Sequence, residues 1–232
     1  IYNGKPIVNS VNGEQKTLDA ILPLCKKYGA AVVGLTMDEH GIPKTAAERV
    51  AIARHITGEA GRYGIPPEDV YIDCLTLTAS AQQEGAAETL KALTICKREL
   101  GVRTVLGVSN ISFGLPCRGY LNATFLTMAM AAGLDLAIIN PNTPDMMGAV
   151  RAFRVLTGSD RGSTDYIRAY ADVQIQTTQT VKTATVATSA QPEGEHTLAD
   201  AVRCGLKAEA RAAAKAALAN TAPLDLVNQV LI

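Results

Sequence analysis

The sequence predicts an α/β fold in which five strands each lead into a helix. Three observations support this class: short apolar runs alternate with helical patterns, the helical patterns carry apolar residues at three- and four-residue spacing, and turn residues separate the two. Crossover helices of this kind give right-handed parallel connections. Two architectures remain open, a doubly wound sheet and part of a (βα)8 barrel. Both bring the carboxyl ends of the strands to one rim.

The strand predictions rest on composition and on the turn residues that bound each apolar run. The first run ends at Asn12 and Gly13, which are typical of a turn, and the third begins after Pro66 and Pro67. The second run is nearly all apolar, as expected of a strand buried on both faces. The strands are expected over residues 6–11, 30–37, 70–77, 102–108 and 134–140.

The helix predictions rest on periodicity and capping. In the first helix Leu18 and Leu22 lie on one apolar face, and Gly29 can cap its end. Thr45, with Glu48 three residues later, predicts a capping box at the start of the second helix. The helices are expected over residues 14–28, 45–64, 84–100, 118–132 and 146–156.

Composition and charge exclude several classes of function. The chain has 232 residues, is 47% apolar, and carries 22 basic and 22 acidic residues, so its formal net charge is zero. No global field favours nucleic acid or an anionic membrane, and no apolar run approaches the roughly 20 residues of a membrane span. The five cysteines form no C-x-x-C pair and no metal spacing with the histidines. We expect a cytoplasmic protein without nucleic-acid, membrane or metal partners.

Polar side chains stand at the carboxyl ends of four expected strands. They are Asn9, Asp38 with Glu39, Asp73 and Asn110. A carboxylate accepts from an amino and ring N–H fork, and an asparagine offers both a donor and an acceptor, so the set suits a flat nitrogen heterocycle such as a pterin or a purine. Each residue also has a structural interpretation: Asn9 as a helix cap, Asp38 as part of a solvated loop, and Asp73 as a structural acceptor.

The loop over residues 107–116 carries the densest group of these polar residues. Asn110 lies between Ser109 and Ser112, and glycines near both ends of the loop permit a sharp turn or the close approach of a ligand. The structural alternative is a hydrogen-bonded turn between the fourth strand and its helix.

Four segments, in this order, resemble the pterin-binding methyltransferase domain found in cobalamin-dependent methionine synthase and in methyltetrahydrofolate:corrinoid protein methyltransferases. They are residues 6–14 (PIVNSVNGE), 37–43 (MDEHGIP), 71–73 (YID) and 107–116 (GVSNISFGLP). The resemblance covers about residues 1–170. Because that family forms a TIM (βα)8 barrel, it implies a barrel truncated to its last five βα units, strands four to eight.

The resemblance also implies roles for individual residues. Asn9 and Asp73 would hydrogen-bond the pterin ring, with Asp38 and Ser112 in the same substrate site. Asn110 would reach the ring nitrogen that carries the methyl group and act as the catalytic residue. The implied reaction transfers a methyl group from 5-methyltetrahydrofolate, the donor, to cob(I)alamin held by a neighbouring domain or a corrinoid protein. It would serve methionine synthesis from homocysteine or a related corrinoid pathway.

Two features depart from the family pattern, and the tail adds a second resemblance. Cys74 stands where relatives commonly have proline, and a further pterin-binding aspartate expected on the third strand of the barrel has no counterpart. Residues 171–196 have little apolar periodicity and are expected to form a linker. Residues 197–232 resemble the start of the helical cap that precedes a cobalamin-binding domain. Both ends are therefore expected to be cut from a longer protein.

Two other functions remain open at this stage. A dihydropteroate synthase-like enzyme would share the barrel and the pterin recognition but would condense a pterin with an aromatic amine, and the cap-like tail argues against it. The chain would alternatively be a non-catalytic pterin-binding fragment. Five units without the first three would leave open sheet edges and half a pocket, so the isolated piece is expected to be inactive and to self-associate.

Overall fold

The computed structural model of the protein describes residues 3–171, 198–203, 207–219, 221–223 and 225–226. The chain divides into two compact units, Ile1–Leu156 and Thr157–Ile232. Nearly all of the predicted linker (171–196) and most of the end of the cap-like segment (residues 223–232) lie outside the described residues. The predicted domain boundaries therefore stay predictions.

The first unit is built on one sheet of five parallel strands whose spatial order follows the chain. The strands are β1 (Ile7–Val11), β2 (Ala31–Leu35), β3 (Val70–Asp73), β4 (Arg103–Gly107) and β5 (Leu136–Ile138). Their order is β1-β2-β3-β4-β5, and each neighbouring pair is parallel. A doubly wound sheet reverses its order at a switch point, so the unbroken order selects the barrel alternative. The curled half-barrel confirms the predicted fold class, five consecutive βα units of a TIM barrel.

A helix follows each strand of the first unit, and the described residues of the second unit include three more helices. In the first unit these are α1 (Gln15–Tyr28), α2 (Ala46–Arg62), α3 (Glu84–Ile95), α4 (Arg118–Ala131) and α5 (Pro144–Leu156). In the second unit they are α6 (Thr164–Tyr170), α7 (Leu198–Arg203) and α8 (Lys207–Ala217). Within the described residues no helix has the length and apolar character needed to cross a membrane.

The helix boundaries follow from capping. Thr45 Oγ1 accepts from the backbone N–H of Glu48 at 3.3 Å, and the Glu48 carboxylate accepts from the backbone N–H of Thr45 at 3.2 Å, so the predicted capping box is confirmed. Gly29 closes α1 with φ of +66°, a conformation that favours glycine. A π-helical turn, Cys96–Leu100, continues α3 to the predicted end.

The core lies between the sheet and the surrounding helices. Fully buried side chains meet there from every layer; they include Leu18 and Leu22 of α1, Ile56 of α2, Ile72 of β3, Leu93 of α3, Leu106 of β4 and Leu126 of α4. Interior strand β2 is buried over four of its five residues, which explains its nearly continuous apolar sequence.

The third strand is shorter than its apolar run suggested. It ends at Asp73 instead of residue 77. Leu75 has φ of +59°, a left-handed conformation that interrupts an extended chain, and its backbone N–H turns back to Asp73 Oδ1 at 2.8 Å. Asp73 is consequently the last residue of β3 and stands on the rim.

Candidate functional site

The strand register places three of the predicted site residues along one rim of the sheet. Asp73 pairs with Leu35 of β2 and Val105 of β4, and Asn110 follows three residues after the end of β4. Asn9 pairs with Val33 near the end of β1, two strands away from β3. Parallel strands share this edge, where α/β barrels carry their chemistry.

Asp73 is a buried carboxylate, and one of its two oxygens is free to accept a hydrogen bond from a ligand. The residue is 7% exposed, and burial raises the pKa of its carboxyl from 3.8 to about 6, although the hydrogen bond from the Leu75 N–H to Oδ1 lowers it. Within the described residues, Oδ2 has no recorded hydrogen-bond donor. The Asp73 backbone carbonyl accepts from the N–H of Thr36 at 3.0 Å and from its hydroxyl at 3.1 Å, which fixes the end of β3 against β2. A ligand with an N–H fork would find here a fixed, desolvated acceptor.

Asn110 is exposed, and its side chain folds back over the end of β4. A Cβ atom added to Gly107 would lie 3.1 Å from Asn110 Nδ2, so the missing side chain of that glycine is what leaves space for the amide. The described residues provide no recorded hydrogen bond to this amide. Both its donor and its acceptor are therefore available to a ligand at the rim.

The loop that carries Asn110 is held by an arginine that the sequence reasoning missed. The guanidinium of Arg118 donates from Nε to Ser112 Oγ at 2.8 Å and from Nη2 to the carbonyl of Ser109 at 3.0 Å, and it lies 4.5 Å from the centre of the Phe113 ring. Ser112 is fully buried and donates to the Ser109 carbonyl at 3.2 Å. The one sequence signal was a cation in the first turn of a helix, where the helix dipole disfavours it.

Hydrogen bonds join the loop after β3 to the loop after β4. The backbone N–H of Ala79 donates to the carbonyl of Ile111 at 2.9 Å. The hydroxyls of Thr78 and Ser80 both donate to the carbonyl of Phe113, at 2.7 and 2.8 Å. Although the sequence separates Asp73 from Asn110 by more than thirty residues, their loops form one hydrogen-bonded unit.

Asn9 is exposed and does not cap α1. The residue at the amino end of that helix is Glu14, whose backbone N–H is bound by Asn12 Oδ1 at 3.1 Å. The pairing of β1 with β2 is irregular between Asn9 and Val11. The helix-cap interpretation of Asn9 is therefore wrong, and its exposed amide makes no hydrogen bond to any other described residue.

Asp38 is engaged in a tight turn. Its Oδ1 accepts from the backbone N–H of His40 at 2.9 Å, and its backbone pairs with Gly41 in both directions, at 3.2 and 3.0 Å. Glu39 beside it is exposed, 3.8 Å from His40 Nε2. These contacts agree with the structural interpretation of Asp38, and its pterin-binding role stays a prediction.

Cys74, the departure from the family pattern, lies in the core. It is fully buried, and its Sγ is 4.0 Å from that of Cys96, which is also fully buried. The sequence spacing of the cysteines gave no sign of this contact. The described part of the chain contains no group of three or more His, Cys, Asp or Glu side chains that could hold a metal ion.

Comparisons with known proteins agree with this geometry. Residues 1–140 match the family described as pterin binding enzyme. The chain is 34% identical over 173 residues to the methylcorrinoid:tetrahydrofolate methyltransferase of Eubacterium limosum, which covers 73% of this chain and 64% of that protein. It is 39% identical over 150 residues to the methionine synthase of Mycobacterium tuberculosis and 37% identical over 150 residues to that of Mycobacterium leprae.

The two methionine synthase matches cover 59% of this chain, but only 13% and 12% of the relatives. The chain therefore spans less than two thirds of the length of each of these relatives. The family match extends from the first strand through the fifth and includes Asn9, Asp73 and Asn110. On this evidence the chain belongs to the family of pterin-binding enzymes.

Proposed function

We propose that this chain binds the reduced pterin ring of 5-methyltetrahydrofolate and takes part in the transfer of its methyl group to a corrinoid. The observation that carries the proposal is that a buried carboxylate, Asp73 at the end of β3, and an unengaged amide, Asn110 after β4, lie at the same edge of the sheet, where the loops that follow the two strands are hydrogen-bonded to each other. The Eubacterium limosum relative, which is named for methyl transfer between a corrinoid and a folate, supports the same reaction class.

Substrate binding in this proposal depends mainly on Asp73. Above pH 6 its carboxylate is ionised, and Oδ2 accepts from the amino and ring N–H groups of the pterin. Asn9 supplies a further amide contact from β1. Ser112 shapes the loop through Ser109 and Arg118, and Asp38 is proposed at the outer boundary of the site.

Catalysis in this proposal depends on Asn110. When the bond between the methyl carbon and N5 breaks, its electron pair stays on the nitrogen, which must then gain a proton or a stronger hydrogen bond. The Asn110 amide lies at an exposed position where it can hydrogen-bond N5 and also meet water, so the proton comes from solvent and the amide strengthens its contact in the transition state. A cobalt(I) corrinoid, held by a neighbouring domain or a partner protein, supplies the electron pair that accepts the methyl group.

The proposal also covers the pathway and the domain arrangement. We place the chain in methionine synthesis from homocysteine or a related corrinoid pathway, with residues 1–170 as the pterin-binding domain, 171–196 as a linker and 197–232 as the beginning of a cobalamin-domain cap. The name of the Eubacterium limosum relative gives the opposite direction of transfer, from corrinoid to folate. Because a catalyst lowers the barrier in both directions, the same pterin site would serve either.

The test is calorimetric titration of the full-length gene product that contains this chain. We expect binding of 5-methyltetrahydrofolate and none of p-aminobenzoylglutamate, which lacks the pterin. Asp73→Asn should weaken binding about tenfold or more, because its amide would present a donor to the donating fork. Equal binding by parent and variant would contradict the assignment. Condensation of a pterin with p-aminobenzoate would favour a dihydropteroate synthase-like enzyme instead.

A further inference from the structure

The guanidinium of Arg49 is a buried charge to which the proposed chemistry assigns no part. Arg49 lies on α2 and is fully buried. No ion pair joins it to a carboxylate among the described residues, and its Nη2 is buried without a hydrogen-bond partner. A buried cation that lacks an ionic partner costs folding free energy, and apolar residues of similar size often replace such groups without loss. Stability alone is therefore a poor account of this residue.

The hydrogen bonds of Arg49 converge on the turn that follows Asp73. Nη1 donates to the carbonyls of Cys74 at 3.0 Å and Leu75 at 3.1 Å, and to Thr89 Oγ1 of α3 at 2.8 Å. Nε donates to the carbonyl of Pro43 at 2.9 Å, in the loop after β2. One planar fork thus ties two loops of the rim to α2 and α3.

The turn that Arg49 holds determines the orientation of the Asp73 carboxylate. Leu75 adopts φ of +59°, a left-handed conformation that is unfavourable for a residue with a side chain and persists only where its surroundings enforce it. That conformation aims the Leu75 N–H at Asp73 Oδ1, at 2.8 Å, and so leaves Oδ2 for a ligand. Thr89 supports the same carbonyl, because its hydroxyl lies 2.9 Å from the oxygen of Leu75.

We propose that Arg49 is a positioning residue for the pterin site, which holds the turn at Cys74 and Leu75 so that the Asp73 carboxylate keeps one oxygen free and aimed at the rim. The assignment rests on the folate-binding function proposed above. Arg49 itself touches no substrate. Its loss releases the turn, and Asp73 then loses the Leu75 N–H and its fixed orientation.

The titration of Asp73 supplies a readout that does not require substrate. Leu75 N–H is the group that opposes the effect of burial, so releasing the turn should move the Asp73 midpoint upward from about 6. The neighbouring Cys74 thiol does not interfere, because its hydrogen bond with Cys96 and its burial raise its pKa well above the usual value. Carbon-13 labelled aspartate makes the Asp73 carboxyl visible by NMR.

Three variants and one control test the proposal in the full-length gene product. Arg49→Lys retains the charge but not the fork, Arg49→Met removes both, and Thr89→Val removes one support of the turn. Arg54→Met is the control, since Arg54 lies on the same helix with a 60% exposed side chain and a 3.4 Å contact to Glu99. Circular dichroism identifies any variant that does not fold.

We expect Arg49→Lys and Arg49→Met to bind 5-methyltetrahydrofolate about tenfold more weakly and to raise the Asp73 midpoint, with a smaller change in Thr89→Val. Arg54→Met should leave both quantities at parent values. If Arg49→Met does not fold, Arg49→Lys and Thr89→Val still decide the question. If Arg49→Lys keeps the parent's Asp73 midpoint and binds 5-methyltetrahydrofolate within twofold of the parent's affinity, the positioning role is wrong, while the proposed function still stands. A parent protein that binds no 5-methyltetrahydrofolate would overturn the proposed function, and the positioning role with it.

Discussion

Interior strand β3 and edge strand β1 each carry a residue that is predicted to bind the pterin, Asp73 and Asn9, but the two residues have different surroundings. β3 pairs with a neighbour on each side, and three of its four residues are buried. β1 pairs only with β2 among the described strands, alternates between exposed and half-buried residues before the buried Val11, and loses regular pairing after Asn9. Asp73 is consequently fixed by backbone and side-chain contacts, whereas Asn9 is exposed.

This difference separates two ways of building a binding site. A ligand that meets Asp73 finds an acceptor already desolvated and oriented, so little ordering is required at binding. A ligand that meets Asn9 must order that side chain itself. We therefore expect interior positions to determine both stability and affinity, and the edge position to contribute a small increment.

The largest expected effect compares two isoleucines. Ile72 of β3 is fully buried, and Ile7 of β1 is 43% exposed. Ile72→Ala should lower the free energy of unfolding by about 2–5 kcal/mol, because it removes buried methyl groups and leaves a cavity, while Ile7→Ala should cost below about 1 kcal/mol. Urea unfolding followed by circular dichroism measures both. Similar losses for the two would remove the contrast between interior and edge.

The second effect is a dependence of stability on pH. Because the pKa of Asp73 is raised from 3.8 to about 6, the folded protein holds this proton more tightly than the unfolded chain does. Its contribution to stability is present below pH 4 and is lost as the pH rises through 6, a difference of about 3 kcal/mol.

Asp73→Asn should therefore be more stable than the parent above pH 6, by up to about 3 kcal/mol, even though it binds folate poorly. The advantage should disappear below pH 4, where the parent carboxyl is protonated. Unfolding at pH 3.5 and pH 8 checks the sign. A variant that is less stable at pH 8 would show that the carboxylate is stabilising where it stands.

The third effect concerns the amide after interior strand β4. Asn110→Ala should slow methyl transfer about 10- to 100-fold and change the folate dissociation constant far less, because its contact with N5 strengthens as the bond to the methyl group breaks. Single-turnover rates and calorimetry separate the two quantities. An unchanged transfer rate with a raised dissociation constant would make Asn110 only an anchor.

Gly107→Ala is a matched probe of the same amide. The added Cβ would lie 3.1 Å from Asn110 Nδ2, so the amide must shift by a few tenths of an ångström. We expect slower methyl transfer in the same direction as for Asn110→Ala, with a smaller change. Gly34→Ala makes a useful contrast, because its Cβ would lie 2.8 Å from Ile56 Cγ2 in the core. This variant should lower the free energy of unfolding by about 1–3 kcal/mol.

The smallest expected effect is that of a substitution on edge strand β1. Asn9→Ala should change the free energy of unfolding by below about 0.5 kcal/mol and weaken folate binding by below about 1 kcal/mol, since an exposed side chain with no recorded partner loses little. Calorimetry on parent and variant measures this. A loss as large as that of Asp73→Asn would place Asn9 in a more ordered site than its surroundings suggest.

Much of the fold could be predicted from the sequence because its signals are local. The capping box at Thr45, the glycine that ends α1 and the apolar run of β2 each depend on a few adjacent residues. The end of β3 could not be predicted, because the apolar residues after Asp73 continue the pattern while the chain turns at Leu75.

The support of the site was also beyond sequence reasoning. Arg49 and Arg118 act on residues of other elements or loops, and nothing in the local pattern distinguishes a buried arginine from an exposed one on a helix. Asn9, Asp73 and Asn110 were recognisable because polar residues interrupt or follow apolar runs at strand ends. Their environments, which differ in burial and in hydrogen bonding, required the packed structure.

The sequential strand order has a consequence for how the chain is made. Among the described strands, each one after β1 pairs with the strand synthesised immediately before it, as in the pairing of Val11 with Gly34 and of Val32 with Val70. The partner of each of these four strands has therefore already left the ribosome. Each βα unit can dock on its predecessor as translation proceeds, and the growing edge of the sheet is covered by the next unit. Translation order and spatial order coincide in this sheet.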